Sequence, residues 1–170
     1  MSFQKEQIQN RARGALLGCA VGDALGAGYE FKPPLAIHIP VEYIASGMFA
    51  AGEYTDDTAQ AIAIALAMTR SDLTKNLDEV ANEFFRWFDA GPSDVGMQTR
   101  RIFNASKEPR SAKKLLKASN EYLDTHLLAA GNGSLMRTAP IALPYLSKPE
   151  LIEQVAGLSL IHISEPTRPY

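Results

Sequence analysis

Glycines stand at positions 14, 18, 22 and 26, a strict four-residue step through the apolar stretch GALLGCAVGDALGAG. On an α-helix that step lines all four along one face. Each costs about 0.5–1 kcal/mol in a helix interior relative to alanine, so a compensating gain is required. Close backbone packing against another helix can supply it. The stretch is therefore read as a buried core helix with Asp23 as its odd polar member. It is too short for a membrane span, which needs about 20 apolar residues, and Asp23 lies near its centre. A dinucleotide-binding glycine loop also fits poorly, because no strand precedes it.

Helical patterning continues along the chain, and strand signals are nearly missing. Residues 31–52, FKPPLAIHIPVEYIASGMFAAG, form a long connection punctuated by Pro and Gly, with only Ile37–Val41 suited to an extended run. Unstructured connections of this length in a compact domain are commonly functional or disordered. Ala59–Met68 is small and aliphatic all round, which predicts burial. Asn76 and Glu79 have capping-pair spacing. Beyond them Leu77, Val80, Ala81, Phe84, Phe85 and Phe88 recur at helical intervals. Trp87 and the phenylalanines are read as core. GPSD, at 91–94, breaks the chain before a helix through Val95–Phe103. Residues 107–124 are polar and suit two short exposed helices, and GNGS at 131–134 reads as a turn. The fold class expected is all-α.

Composition bounds the function. With 170 residues, 46% hydrophobic, 21% charged and a net charge of −2, the chain has an ordinary globular make-up. There is no basic stripe to ask for a nucleic-acid partner. Cys19 is the only cysteine, so no internal disulfide forms and a reducing cytoplasm is the expected compartment. The amino end, MSFQKEQIQNRAR, lacks the apolar core of a secretory signal.

Chemistry concentrates in GEYTDDTAQ, residues 52–60, directly ahead of the apolar helix AIAIALAM. Two readings compete. Thr and Asp cap helix starts, and acids in the first turn complement the helix dipole. Alternatively Thr55, Asp56 and Asp57 hold a hard cation on a rigid mount. Their oxygens suit Mg²⁺, which takes one or two carboxylates and completes its octahedron with waters and substrate. Glu30 ends the first helix just before Pro33 and Pro34, which disfavour helical backbone ahead of them. Gly131 and Gly133 permit close backbone approach to an anion, or form a plain turn with Ser134 as cap.

Four segments occur in order: RARGALLGCAVGDALGAGYEF (11–31), GEYTDDTAQ (52–60), SDVGMQTRR (93–101) and GNGSLMRTAPIAL (131–143). Together they resemble the ADP-ribosylglycohydrolase family, which includes the enzymes that reactivate ADP-ribosylated dinitrogenase reductase. The resemblance spans residues 10–157. It implies a compact, orthogonal multi-helix globule with two Mg²⁺ ions, or Mn²⁺ in their place. It also implies a hydrolase that cuts ADP-ribose from a protein side chain, with ADP-ribosyl-arginine the foremost linkage. By the same resemblance Thr55, Asp56 and Asp57 are metal ligands, and Glu30 is a general acid/base or gate on a mobile flap. Ala130, Gly131, Asn132 and Gly133 cradle pyrophosphate or ribose. Partners are an ADP-ribosylated protein or small ADP-ribose conjugate; a monomer is expected, with no nucleic acid and no membrane.

Two departures qualify the match. Relatives carry a second acidic cluster of Asp-x-Asp-Thr/Asn type near their carboxyl end, and residues 58–170 contain none. Residues Leu158–Arg168 resemble a translated sequencing adapter, so 1–157 is expected to be the amino-terminal part of the domain and 158–170 a non-native tail. A chain so constituted is expected to be inactive by itself. Other readings of the same motifs are a non-catalytic ADP-ribose-binding module and a crystallin-like structural protein.

Overall fold

The computed structural model describes residues 3–126, 133–152 and 155, and every described element is helical, as expected. The chain divides into two compact units, residues 1–59 and 60–170.

The first unit contains α1 (Phe3–Ala27), the connection after it, and the opening turn of α2 (Asp56–Arg70). The expectation that α1 is a buried core helix does not hold. Leu17 is 66% and Val21 53% exposed. A Cβ built on Gly14, Gly18, Gly22 or Gly26 meets nothing within 4 Å. Among the described residues no second backbone closes on that face, so the glycine cost is not offset by packing there. Only the last turns of α1 are anchored, through buried Ala24 and Ala27. The next residue, Gly28, passes so close to Ile44 that a Cβ would lie 2.3 Å from its carbonyl oxygen. The Tyr29 hydroxyl donates to the Glu42 carbonyl at 3.0 Å and accepts from the Glu42 amide at 3.1 Å. Those contacts strap the long connection to the end of α1. Ile37–Val41 is not extended: the Ile39 amide closes a turn on the Ala36 carbonyl at 2.9 Å, ahead of Pro40.

The second unit holds the hydrophobic core. The rest of α2 joins α3 (Asp78–Asp89), α4 (Met97–Ala105), α5 (Ala112–Thr125), α6 (Ala139–Ala142) and a 3-10 turn at Leu143–Tyr145. Ala63, Ile64 and Ala67 of α2 meet Val80, Phe84 and Phe85 of α3, Ile102 and Phe103 of α4, and Leu115 of α5. Full burial of each large apolar side chain stabilises by about 1.5–3 kcal/mol. Phe103 is the hub, with ring centroids 5.3 Å from Phe85 and 5.0 Å from Phe88. Trp87 packs edge-on against it but is only half-buried and lies outside the core cluster, contrary to the core reading. Glu83 is buried on α3 and paired with both Arg70 and Arg86, as a buried charge requires.

Two local expectations change. Residues 112–125 make one helix, because Leu115 and Ala118 bury a stripe that the surrounding lysines disguise. Asn76 does not enter a capping box; its side chain accepts from the Asp78 amide at 2.9 Å as a turn leading into α3. No helix among the described residues is long and apolar enough to cross a membrane.

Candidate functional site

The site is built in the first unit from α1, the turn after it and the start of α2. Thr55 is the N-cap of α2: its carbonyl accepts from the Ala59 amide at 3.2 Å, and its hydroxyl accepts from the Asp57 amide at 3.3 Å. Asp23 reaches this turn from α1. One carboxylate oxygen accepts from the Thr55 hydroxyl at 2.7 Å. The other accepts from the Thr55 amide at 3.0 Å and the Thr58 amide at 3.1 Å. Capping is therefore real, but Thr55 and Asp23 perform it. Asp56 and Asp57 occupy the first two helical positions, both half-buried, where the helix dipole favours negative charge.

The donor set can be tested against a hard cation. Thr55 is buried, and its hydroxyl proton is committed to Asp23, so what it offers further is an oxygen lone pair. The Thr58 hydroxyl is also buried and has no hydrogen-bond partner among the described residues. A buried oxygen without a hydrogen-bond partner, next in sequence to two carboxylates, is compatible with oxygen-only chemistry of the Mg²⁺ kind. Among the described residues no three His, Cys, Asp or Glu gather into a metal-holding group. A cation held here would have two carboxylates, hydroxyl oxygens and water, a set compatible with Mg²⁺.

Glu30 lies in the turn after α1, exposed. The residue after it, Phe31, has φ of 60°, a left-handed conformation that costs a non-glycine residue roughly 1–2 kcal/mol. Backbone strain of this kind gathers at functional loops. Ala130, Gly131 and Asn132 fall outside the described residues. Gly133 is half-buried in the turn at 133–137, in the second unit. Arg137, at the end of that turn, is a core residue: it donates to the Gln60 side chain and its guanidinium lies 4.7 Å from the Phe84 ring centroid.

A family model described as ADP-ribosylglycohydrolase matches residues 4–167. The chain belongs to the ADP-ribosylglycohydrolase family. It is 35% identical over 142 residues to the ADP-ribosylarginine hydrolase Tri1 of Pseudomonas putida, covering 81% of this chain and 37% of that protein. It is 31% identical to the ADP-ribosyl-[dinitrogen reductase] glycohydrolase of Rhodospirillum rubrum, covering 86% and 48% respectively. A solved structure titled ADP-ribosylglycohydrolase-related protein complex superposes with a TM-score of 0.68 at 30% identity, over 94% of this chain and 51% of that one. The chain thus spans about half the length of these family members or less.

Asp23 is the site residue that reading the sequence undervalued. The available signal was a charged side chain in the middle of an otherwise apolar, glycine-rich helix. Its partner stands 32 residues away at Thr55, across a connection whose path local patterning does not give.

Proposed function

We propose that this ADP-ribosylglycohydrolase is a magnesium-dependent hydrolase that removes ADP-ribose from a modified protein side chain, with ADP-ribosyl-arginine as its preferred linkage. The observation that carries the reading is the start of α2, where Asp23 accepts the hydrogen bond of the Thr55 hydroxyl and leaves an oxygen lone pair in the loop that carries Asp56 and Asp57. Support for the linkage comes from the relatives' names, one an ADP-ribosylarginine hydrolase and another an ADP-ribosyl-[dinitrogen reductase] glycohydrolase.

Thr55, Asp56 and Asp57 would hold Mg²⁺, or Mn²⁺ in its place. Such an ion supplies a Lewis acid for ribose oxygens and lowers the pKa of a bound water. Glu30 has the carboxylate needed to take a proton from water or return one to the leaving side chain, and its strained neighbour Phe31 suits a gate. By resemblance to the family, backbone amides of residues 130–133 would receive diphosphate or ribose. The compartment proposed is the cytoplasm.

The test is a panel of defined conjugates, with ADP-ribose joined to arginine, to serine, to a nucleobase and to acetate. Each is offered with magnesium to a family-length protein that contains this sequence. Release from the arginine conjugate in preference to the others supports the proposal. Calorimetric binding of ADP-ribose without release from any conjugate would make it a binding module, and no affinity would leave a structural role.

A further inference from the structure

We propose that Asp23 is a positioning residue for the cation loop. Its carboxylate fixes the Thr55 hydroxyl so that an oxygen lone pair, not the proton, faces a cation held by Thr55, Asp56 and Asp57. The inference rests on the metal reading above and extends it to a residue outside the ligand set.

The hydrogen-bond polarity carries it. An ionised carboxylate only accepts, and a hydroxyl has one proton and two lone pairs. The 2.7 Å contact from the Thr55 hydroxyl to Asp23 therefore spends the proton. The Asp57 amide takes one lone pair at 3.3 Å, and the other remains. Without Asp23 the hydroxyl proton is uncommitted and can turn toward a cation and repel it. Asp23 itself has little left to give, because its second oxygen already accepts the Thr55 and Thr58 amides at 3.0 and 3.1 Å. It thus acts through Thr55. Residues that orient metal ligands in this way are commonly worth about 10–100-fold in metal affinity.

A purely structural role, capping α2 from α1, makes a different prediction. Asn at position 23 keeps the shape. Its carbonyl can still accept the two amides, but its NH₂ must donate to Thr55, which reverses the hydroxyl bond and turns the proton outward. The probe is Mn²⁺, titrated into a family-length protein that carries this sequence and followed by electron paramagnetic resonance, with thermal denaturation of each variant alongside. Asp23→Asn is expected to weaken Mn²⁺ at least about tenfold while melting close to wild type. Thr55→Val should weaken it comparably, and Thr55→Ser should bind as wild type does. The double variant Asp23→Asn/Thr55→Val should bind no more weakly than Thr55→Val alone, because linked residues are not additive.

Wild-type Mn²⁺ affinity in a folded Asp23→Asn protein would overturn the inference. So would additive losses in the double variant, which mark Asp23 as a bare negative charge. If Asp23→Asn does not fold, Thr55→Val decides: undiminished affinity there sinks the inference independently. Asp57→Ala separates the two levels. Its retention of Mn²⁺ would bring down the metal reading and this inference together, whereas its loss beside a fully binding Asp23→Asn would bring down this inference alone.

Discussion

At the scale of single residues, Asp56 and Asp57 stand apart from the groups that start their helix. Because Thr55 and Asp23 supply the cap, Asp56→Ala or Asp57→Ala in a family-length protein is expected to abolish magnesium-dependent release of ADP-ribose. Neither change should disturb far-UV circular dichroism, since even a lost cap costs only about 1 kcal/mol. A variant that unfolds yet keeps full specific activity in its folded fraction would return both residues to a structural role. For Glu30, replacement by Gln keeps the shape and removes the base. The expected result is a fall in kcat of about 10²-fold or more, with ADP-ribose still bound, read by steady-state kinetics beside calorimetry. Wild-type turnover would leave Glu30 as a solvated helix end. Chemistry alone nominates these residues, as oxygens suited to a hard ion and a carboxylate near a helix end, although α1 stops at Ala27, well before Pro33, and Glu30 lies in the turn beyond it. The polarity that joins Asp23 to Thr55 was not legible, because it depends on two side chains meeting across the long connection.

Among the elements, α1 divides into two parts with opposite expectations. Its exposed glycine face should gain from added side chains. Gly18→Ala in this chain is expected to stabilise by about 0.5–1 kcal/mol, since the new Cβ meets nothing within 4 Å and helix propensity improves. Gly28→Ala should do the reverse, because its Cβ would press into Ile44 at 2.3 Å. Overpacking of this kind costs about 1–3 kcal/mol. Urea denaturation of the two variants measures both, and equal effects would contradict the placement of α1. The helices of the second unit were readable in advance because a 3.6-residue apolar period reports a buried stripe directly, as Phe84 and Phe88 show around Phe103. For α1 the same logic misled. A glycine stripe states that close packing is possible, while burial needs a partner surface that no local pattern contains. The polar stretch at 112–125 misled in the other direction, since three lysines outweigh Leu115 and Ala118 by count but not by position.

For the whole molecule, the decisive fact is length: this chain spans 37% and 48% of two named relatives. With two carboxylates in the loop and no group of three His, Cys, Asp or Glu gathered among the described residues, a cation held there would keep most of its waters and leave readily. The 170-residue chain alone is expected to bind magnesium weakly and to release no ADP-ribose, in an assay run beside a family-length protein carrying the same sequence. Comparable turnover by the shorter chain would show that the loop at Thr55–Asp57 suffices. The central claim, that this loop makes the family-length protein a magnesium-dependent ADP-ribosyl hydrolase, is tested most directly by one measurement. The initial rate of ADP-ribose release from an ADP-ribosyl-arginine conjugate is recorded for wild type and Asp57→Ala, each with excess magnesium and with chelator. The account predicts release only by wild type with magnesium. Undiminished release in chelator, or by Asp57→Ala, would contradict it.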